Sequence, residues 1–110
     1  MDERSFVTIL RQQGISLHEG SLDQKRLNFS RALAIVIPPR SVSDRTAFRR
    51  LASWLQGGCV QGIFSEDAIF RQVLDFALES SRPECRKPAA VFMSICRKEL
   101  GYTPQNGGAQ

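Results

Sequence analysis

Three cysteines, a single histidine and an arginine-dominated set of cations are the side chains of this sequence with chemistry to offer. Cys85 has the most reactive surroundings: Arg82, Arg86 and Lys87 flank it, and Pro88 just beyond it suits the first position of a helix. Positive charge and a helix N-terminus both favour thiolate over thiol. The plainer reading of the same residue is an incidental loop cysteine. Cys96 falls on the apolar side of a predicted helix and reads as core, and Cys59 reads as loop filler or half-buried. Three is an odd number, there is no C-x-x-C spacing, and no disulfide framework is expected. One histidine and three scattered thiols have no local zinc-ligand spacing.

His18 stands in the polar stretch Ser16 to Ser21 with Glu19 beside it and reads as an exposed loop residue. General acid–base work would need a nucleophile or an orienting carboxylate held against it. Gly57, Gly58 and Gly62 lack the Lys-Ser/Thr that completes a phosphate-cradling loop, and no nucleophile elbow, dinucleotide fingerprint or H-E-x-x-H occurs. Glu66 and Asp67 are better explained by a helix start, where the dipole favours negative charge. The expectation is a protein with no catalytic residue, no metal and no cofactor.

The cations carry more information. Twelve of the 15 basic residues are Arg, and the net charge is +4. Arg forks bind phosphate and carboxylate through paired hydrogen bonds, so this bias leans toward an anionic partner; codon usage and an ordinary solvated surface are the competing explanation. The charge is also uneven. Lys25 to Arg50 holds seven basic residues against Asp44 alone, and Arg82 to Lys98 holds five against Glu84 alone. Between them, Leu51 to Ser81 has four acids and only Arg71. Such asymmetry marks a candidate binding face. Its members are Arg45, Arg49 and Arg50, one turn apart or adjacent on one predicted helix, with Arg86, Lys87, Arg97 and Lys98 around another. Arg50 and Trp54, four apart, form a pair able to stack on a nucleobase, although a tryptophan so placed more often packs against another helix.

The elements that must position these residues read as helices. Phe48, Leu51, Ala52 and Leu55 form an apolar stripe on a helix from about Ser43 or Asp44 to Gln56, capped by Ser43 and ended by Gly57 and Gly58. The next runs from about Glu66 to Ser80 with Ser65 as N-cap and Phe64 with Ile69 as a hydrophobic staple. Its apolar set covers about half the circumference, wider than the ~100° stripe of a surface helix, so it should touch neighbours on two sides. A third begins at Pro88 and stops at Gly101, with Ala90, Ser94, Arg97 and Lys98 outward. With the preceding helix it makes a weak helix-turn-helix candidate.

Upstream, Asp2 to Gln13 is amphipathic with Gly14 as its stop, and Ser21 with Gln24 has capping-box spacing for a helix to about Val36. The β-branched run within Ala32 to Ile37 also fits a short buried strand; Leu22, Phe29, Leu33 and Val36 sharing one side favours the helix.

These readings define an all-α bundle of four or five helices over residues 1–102 with a disordered tail over 103–110. The expected core is Phe48, Leu51, Leu55, Ile69, Phe70, Val73, Phe76, Ala77, Phe92, Ile95 and Cys96. No apolar run approaches the ~20 residues of a membrane span, and the N-terminus has no signal-peptide pattern, so a cytoplasmic protein that does not engage a membrane is expected. The functional expectation is a non-catalytic module that binds DNA or RNA through its arginine-rich face. The alternative is an adaptor with a protein partner, or a small homodimer.

Overall fold

The computed structural model describes residues 1–103, which form five helices and no strand: α1 (Glu3–Gln12), α2 (Leu22–Val36), α3 (Val42–Val60), α4 (Ile69–Ser80) and α5 (Pro88–Leu100). The expected tail lies, from residue 104 onward, outside the described residues. Local chemistry sets the first two starts. The Asp2 carboxylate accepts from the Ser5 N–H at 2.8 Å. Ser21 and Gln24 close the capping box, the Gln24 N–H donating to Ser21 Oγ at 3.2 Å and the Ser21 N–H to Gln24 Oε1 at 3.1 Å. The Ala32–Ile37 run is helical to Val36, and Ile37 is its C-cap.

α2 packs against α3 and α4, and α4 packs against α5, so α4 does meet neighbours on two sides. Phe29, Leu33, Leu51, Leu55, Val73, Leu74, Phe92 and Cys96 are fully enclosed between them. α1 adds Phe6 to this core, with the Arg71 guanidinium 5.6 Å above its ring and Arg71 paired to Glu3 and Asp75. Two expected core members, Phe76 and Ile95, are only half-buried, because they sit at the margins of the faces that α4 and α5 turn inward.

α3 departs from its expected bounds at both ends. Ser41 rather than Ser43 caps it, accepting from the Asp44 N–H at 3.1 Å, and the helix continues through Gly57 and Gly58 to Val60. Gly58 is buried against the Phe64 ring, where a Cβ would lie 2.3 Å from Phe64 Cδ2. Close packing thus outweighs the ~1 kcal/mol helix cost of a glycine. Gly58→Ala is expected to destabilise the fold by about 1–3 kcal/mol through this overlap. Gly57→Ala, with nothing within 4 Å of its Cβ, should stabilise it by up to about 1 kcal/mol. Chemical denaturation of the two variants checks the contrast.

α4 starts three residues later than expected. Ser65 contributes its backbone carbonyl, accepting from the Ala68 and Ile69 N–H groups at 3.1 and 2.9 Å, instead of capping through its hydroxyl. Glu66 and Asp67 therefore precede the helix, and their carboxylates lie 3.7 and 3.5 Å from the Lys25 ammonium, which α2 holds only 6% exposed. A buried ammonium needs such partners, and this need explains the acidic pair better than a helix dipole does.

At the far end, Gly101 takes the left-handed conformation (φ 71°) and ends α5 as expected. The chain reverses there, the Tyr102 N–H reaches the Cys96 carbonyl at 3.4 Å, and the Tyr102 side chain is folded back to 4% exposure. This reversal supplies the aromatic floor of the site described next.

Candidate nucleic-acid interface

Hollows on one side of α3 are shared with α5, and their linings pair residues of the two helices in the same chain order. Asp44 shares a hollow with Lys87 to Ala90, Thr46 and Ala47 share another with Met93, and Arg50 shares that one with Arg97. Beneath the seam, Phe48 and Phe92 meet edge to face with ring centroids 5.9 Å apart. The largest concavity along it, about 530 Å³, is walled by Thr46, Arg49, Arg50, Ser53, Trp54 and Tyr102. A second, about 330 Å³, shares Thr46, Arg50 and Tyr102 with the first and extends to Val42, Met93 and Arg97. Among the described residues, no acidic side chain lines either one.

The half-buried indole of Trp54 is held by two edge-to-face contacts, with Phe64 at 5.4 Å and Tyr102 at 5.0 Å. Both partners depend on local backbone devices: Phe64 rests on the bare Cα of Gly58, and Tyr102 is returned by Gly101. Burial pushes the Tyr102 phenol above its ordinary pKa, while Arg50 and Arg97 pull it down, so both guanidiniums act on the same hydroxyl. The Arg50–Trp54 pair therefore shares one cavity wall, and the indole is packed against aromatic neighbours. Among the described residues, the cation placed over an aromatic ring is Arg71 on Phe6.

Of the seven cations expected to form one face, three line these two concavities: Arg49 and Arg50 the first, Arg50 and Arg97 the second. Arg45 is exposed one turn before Arg49 and lines neither concavity; Lys98 is exposed beside Arg97 and lines neither. Lys87 lines a separate hollow of about 170 Å³ at the other end of the seam, with Arg40 and the first residues of α5. Arg86 belongs to that end through its carbonyl, which accepts from Arg40 Nη1 at 3.4 Å. The two cationic patches thus occupy the two ends of one seam, with Thr46, Ala47 and Met93 between them.

Among the described residues, none of these seven cations has a carboxylate within ion-pair distance; the pairs that form use Lys25 and Arg71. Sequence reasoning missed Arg40, Thr46 and Tyr102. Tyr102 had a signal, a large side chain immediately after the glycine that reverses a helix end, where a contact back onto the last turn commonly forms.

The helix-turn-helix candidate keeps its outward face, since Ala90, Ser94, Arg97 and Lys98 are all exposed. Its connection, Ser81 to Lys87, is longer than the usual ~3–4-residue turn.

The thiols separate by environment. Cys96 is buried and its pKa is pushed up to about 12; burial and the nearby Glu66 also raise that of the half-buried Cys59. Cys85 is half-buried. Alkylation near pH 8 should modify Cys85 first, Cys59 more slowly and Cys96 only after unfolding, as read by mass spectrometry of timed samples. His18 is exposed, and its backbone N–H donates to Ser16 Oγ at 3.3 Å. Among the described residues, no group of three His, Cys, Asp or Glu side chains is placed to hold a metal ion, and no helix is long and apolar enough to cross a membrane. Comparison with protein families, curated proteins and solved structures finds no match.

Proposed function

We propose that this protein is a non-catalytic nucleic-acid-binding module whose contact surface is the α3–α5 seam. The observation that carries the reading is a pair of adjoining concavities that share Arg50 and Tyr102, one adding Arg49 and Trp54 and the other Arg97, with none of the three cations paired with a carboxylate among the described residues. Cations answered by acids elsewhere in the chain, such as Lys25 and Arg71, have structural work; these three do not. Guanidiniums supply phosphate contacts and release of condensed counterions, and the aromatic wall supplies a surface for a base. Arg45 and Lys98 extend the positive field along the outer faces of the two helices, and Arg40 and Lys87 extend it to the far end.

The acids gather elsewhere. Asp2, Glu3, Asp75 and Glu79 line a different hollow, between the start of the chain and α4, together with Arg82. The test is binding of a fluorescently labelled oligonucleotide to the wild type and to the Arg49→Glu, Arg97→Glu double variant. Equal binding by the two would overturn the assignment.

A protein partner or a homodimer is the second reading, favoured by Val60 and Ile63, which stand 73% and 65% exposed at the end of α3. Sedimentation of the wild type beside a Val60→Ser, Ile63→Ser variant separates the readings: a dimer that this variant abolishes supports the second.

A further inference from the structure

We infer that the cavity beside Trp54 takes one unpaired base, so that the ligand of the seam is a single strand and not a duplex; this rests on the nucleic-acid reading above. The cavity, about 530 Å³ and open to solvent, has room for one base. Its walls are those a base within a strand requires. Trp54 offers an aromatic surface, the Ser53 and Thr46 hydroxyls can donate to or accept from a base edge, and Arg49 and Arg50, which also line the cavity, can donate to the flanking phosphates.

The neighbouring concavity shares Thr46, Arg50 and Tyr102 and leads on to Arg97, which gives the strand a path along the seam to a further cation. A base in a duplex has both faces covered by its neighbours and its pairing edge occupied, so it cannot enter such a cavity without being extruded. Trp54 is also the only tryptophan of the chain, so its fluorescence reports the cavity directly.

The experiment titrates the wild-type chain, followed by Trp54 emission and by anisotropy of labelled ligands. The four ligands are a short oligothymidylate, the same sugar–phosphate chain without bases, the corresponding duplex, and thymidine monophosphate. The oligothymidylate is expected to quench Trp54 and to bind roughly 5- to 150-fold more tightly than the abasic chain, the range that base–aromatic stacking provides. The duplex should bind more weakly and leave Trp54 emission unchanged, and the mononucleotide should be weaker than the strand.

Abasic chain or duplex binding as tightly as the oligothymidylate would overturn the single-strand inference while leaving polyanion binding in place. Thymidine monophosphate binding as tightly as the strand would overturn it in favour of a small-ligand pocket. Binding of none of the four would overturn both this inference and the reading it rests on.

Discussion

Replacing Arg49 and Arg97 together by Glu is expected to reduce affinity for DNA or RNA by roughly 100-fold or more at low salt while leaving the melting temperature nearly unchanged. The two residues come from different helices and line the two adjoining concavities, so the double variant removes one guanidinium from each and places a carboxylate in its stead. The effect on folding should be small, because both side chains are exposed and neither is in an ion pair among the described residues. Surface changes of that kind usually stay within about 0.5 kcal/mol. The dependence of log affinity on log salt should also become shallower by about 1.4, at ~0.7 for each single-strand phosphate that is no longer neutralised. A parallel Arg71→Glu variant separates specific from general charge effects. Arg71 is engaged by Glu3 and Asp75, so its removal should cost stability more than binding. Anisotropy titrations and thermal melts of the two variants side by side give the comparison.

Phe92→Ala should destabilise the fold by about 3–5 kcal/mol, the range for emptying a large aromatic site in a packed core. Phe92 is 0% exposed and meets Phe48 edge to face beneath the α3–α5 seam, so few neighbours can relax into the space. Edge-to-face pairs contribute about 0.5–1.5 kcal/mol beyond their buried area, which places the change at the upper end of that range. Phe76→Ala should cost clearly less, about 1–2 kcal/mol, because its ring is only half-buried. Urea denaturation of both variants orders them. Equal destabilisation by the two, or a change below about 1 kcal/mol at Phe92, would contradict the core as described.

Helix identity was legible wherever the signal was local. The Ser21–Gln24 capping box, Pro88 at the head of α5 and Gly101 at its end each act within one turn, and each is present in the fold. The misreadings came where a tertiary partner decided the matter. Gly57 and Gly58 look like a helix stop, yet Gly58 continues α3 because the Phe64 ring occupies the space its missing Cβ leaves. Glu66 and Asp67 look like a first helical turn, yet they answer the buried ammonium of Lys25, which comes from a helix far earlier in the chain. Phe76 and Ile95 have core composition, and only the packing of their helices shows that they lie at its margin.

The candidate site was legible as a set of cations and not as a place. Counting charge marked Arg45, Arg49, Arg50, Arg86, Lys87, Arg97 and Lys98 equally. The turn of α3 alone sets Arg49 and Arg50 on one face with Thr46, Ser53 and Trp54, whereas the approach of Tyr102 and of Arg97 from α5 to Arg50 is tertiary and no local pattern encodes it; the remaining cations line neither concavity. Tyr102 entered because the left-handed turn at Gly101 folds it inward, a consequence of chain reversal that helical periodicity does not carry.

The measurement that tests the central claim most directly is the salt dependence of wild-type binding to a short single strand, followed by Trp54 fluorescence at about 50 and 200 mM salt. If the α3–α5 seam binds through Arg49, Arg50 and Arg97, affinity should fall by roughly 10- to 30-fold between the two conditions, with Trp54 emission quenched at saturation in both. No change in Trp54 emission at the lower salt, or an affinity that does not respond to salt, would contradict the assignment of this seam as a nucleic-acid-binding surface.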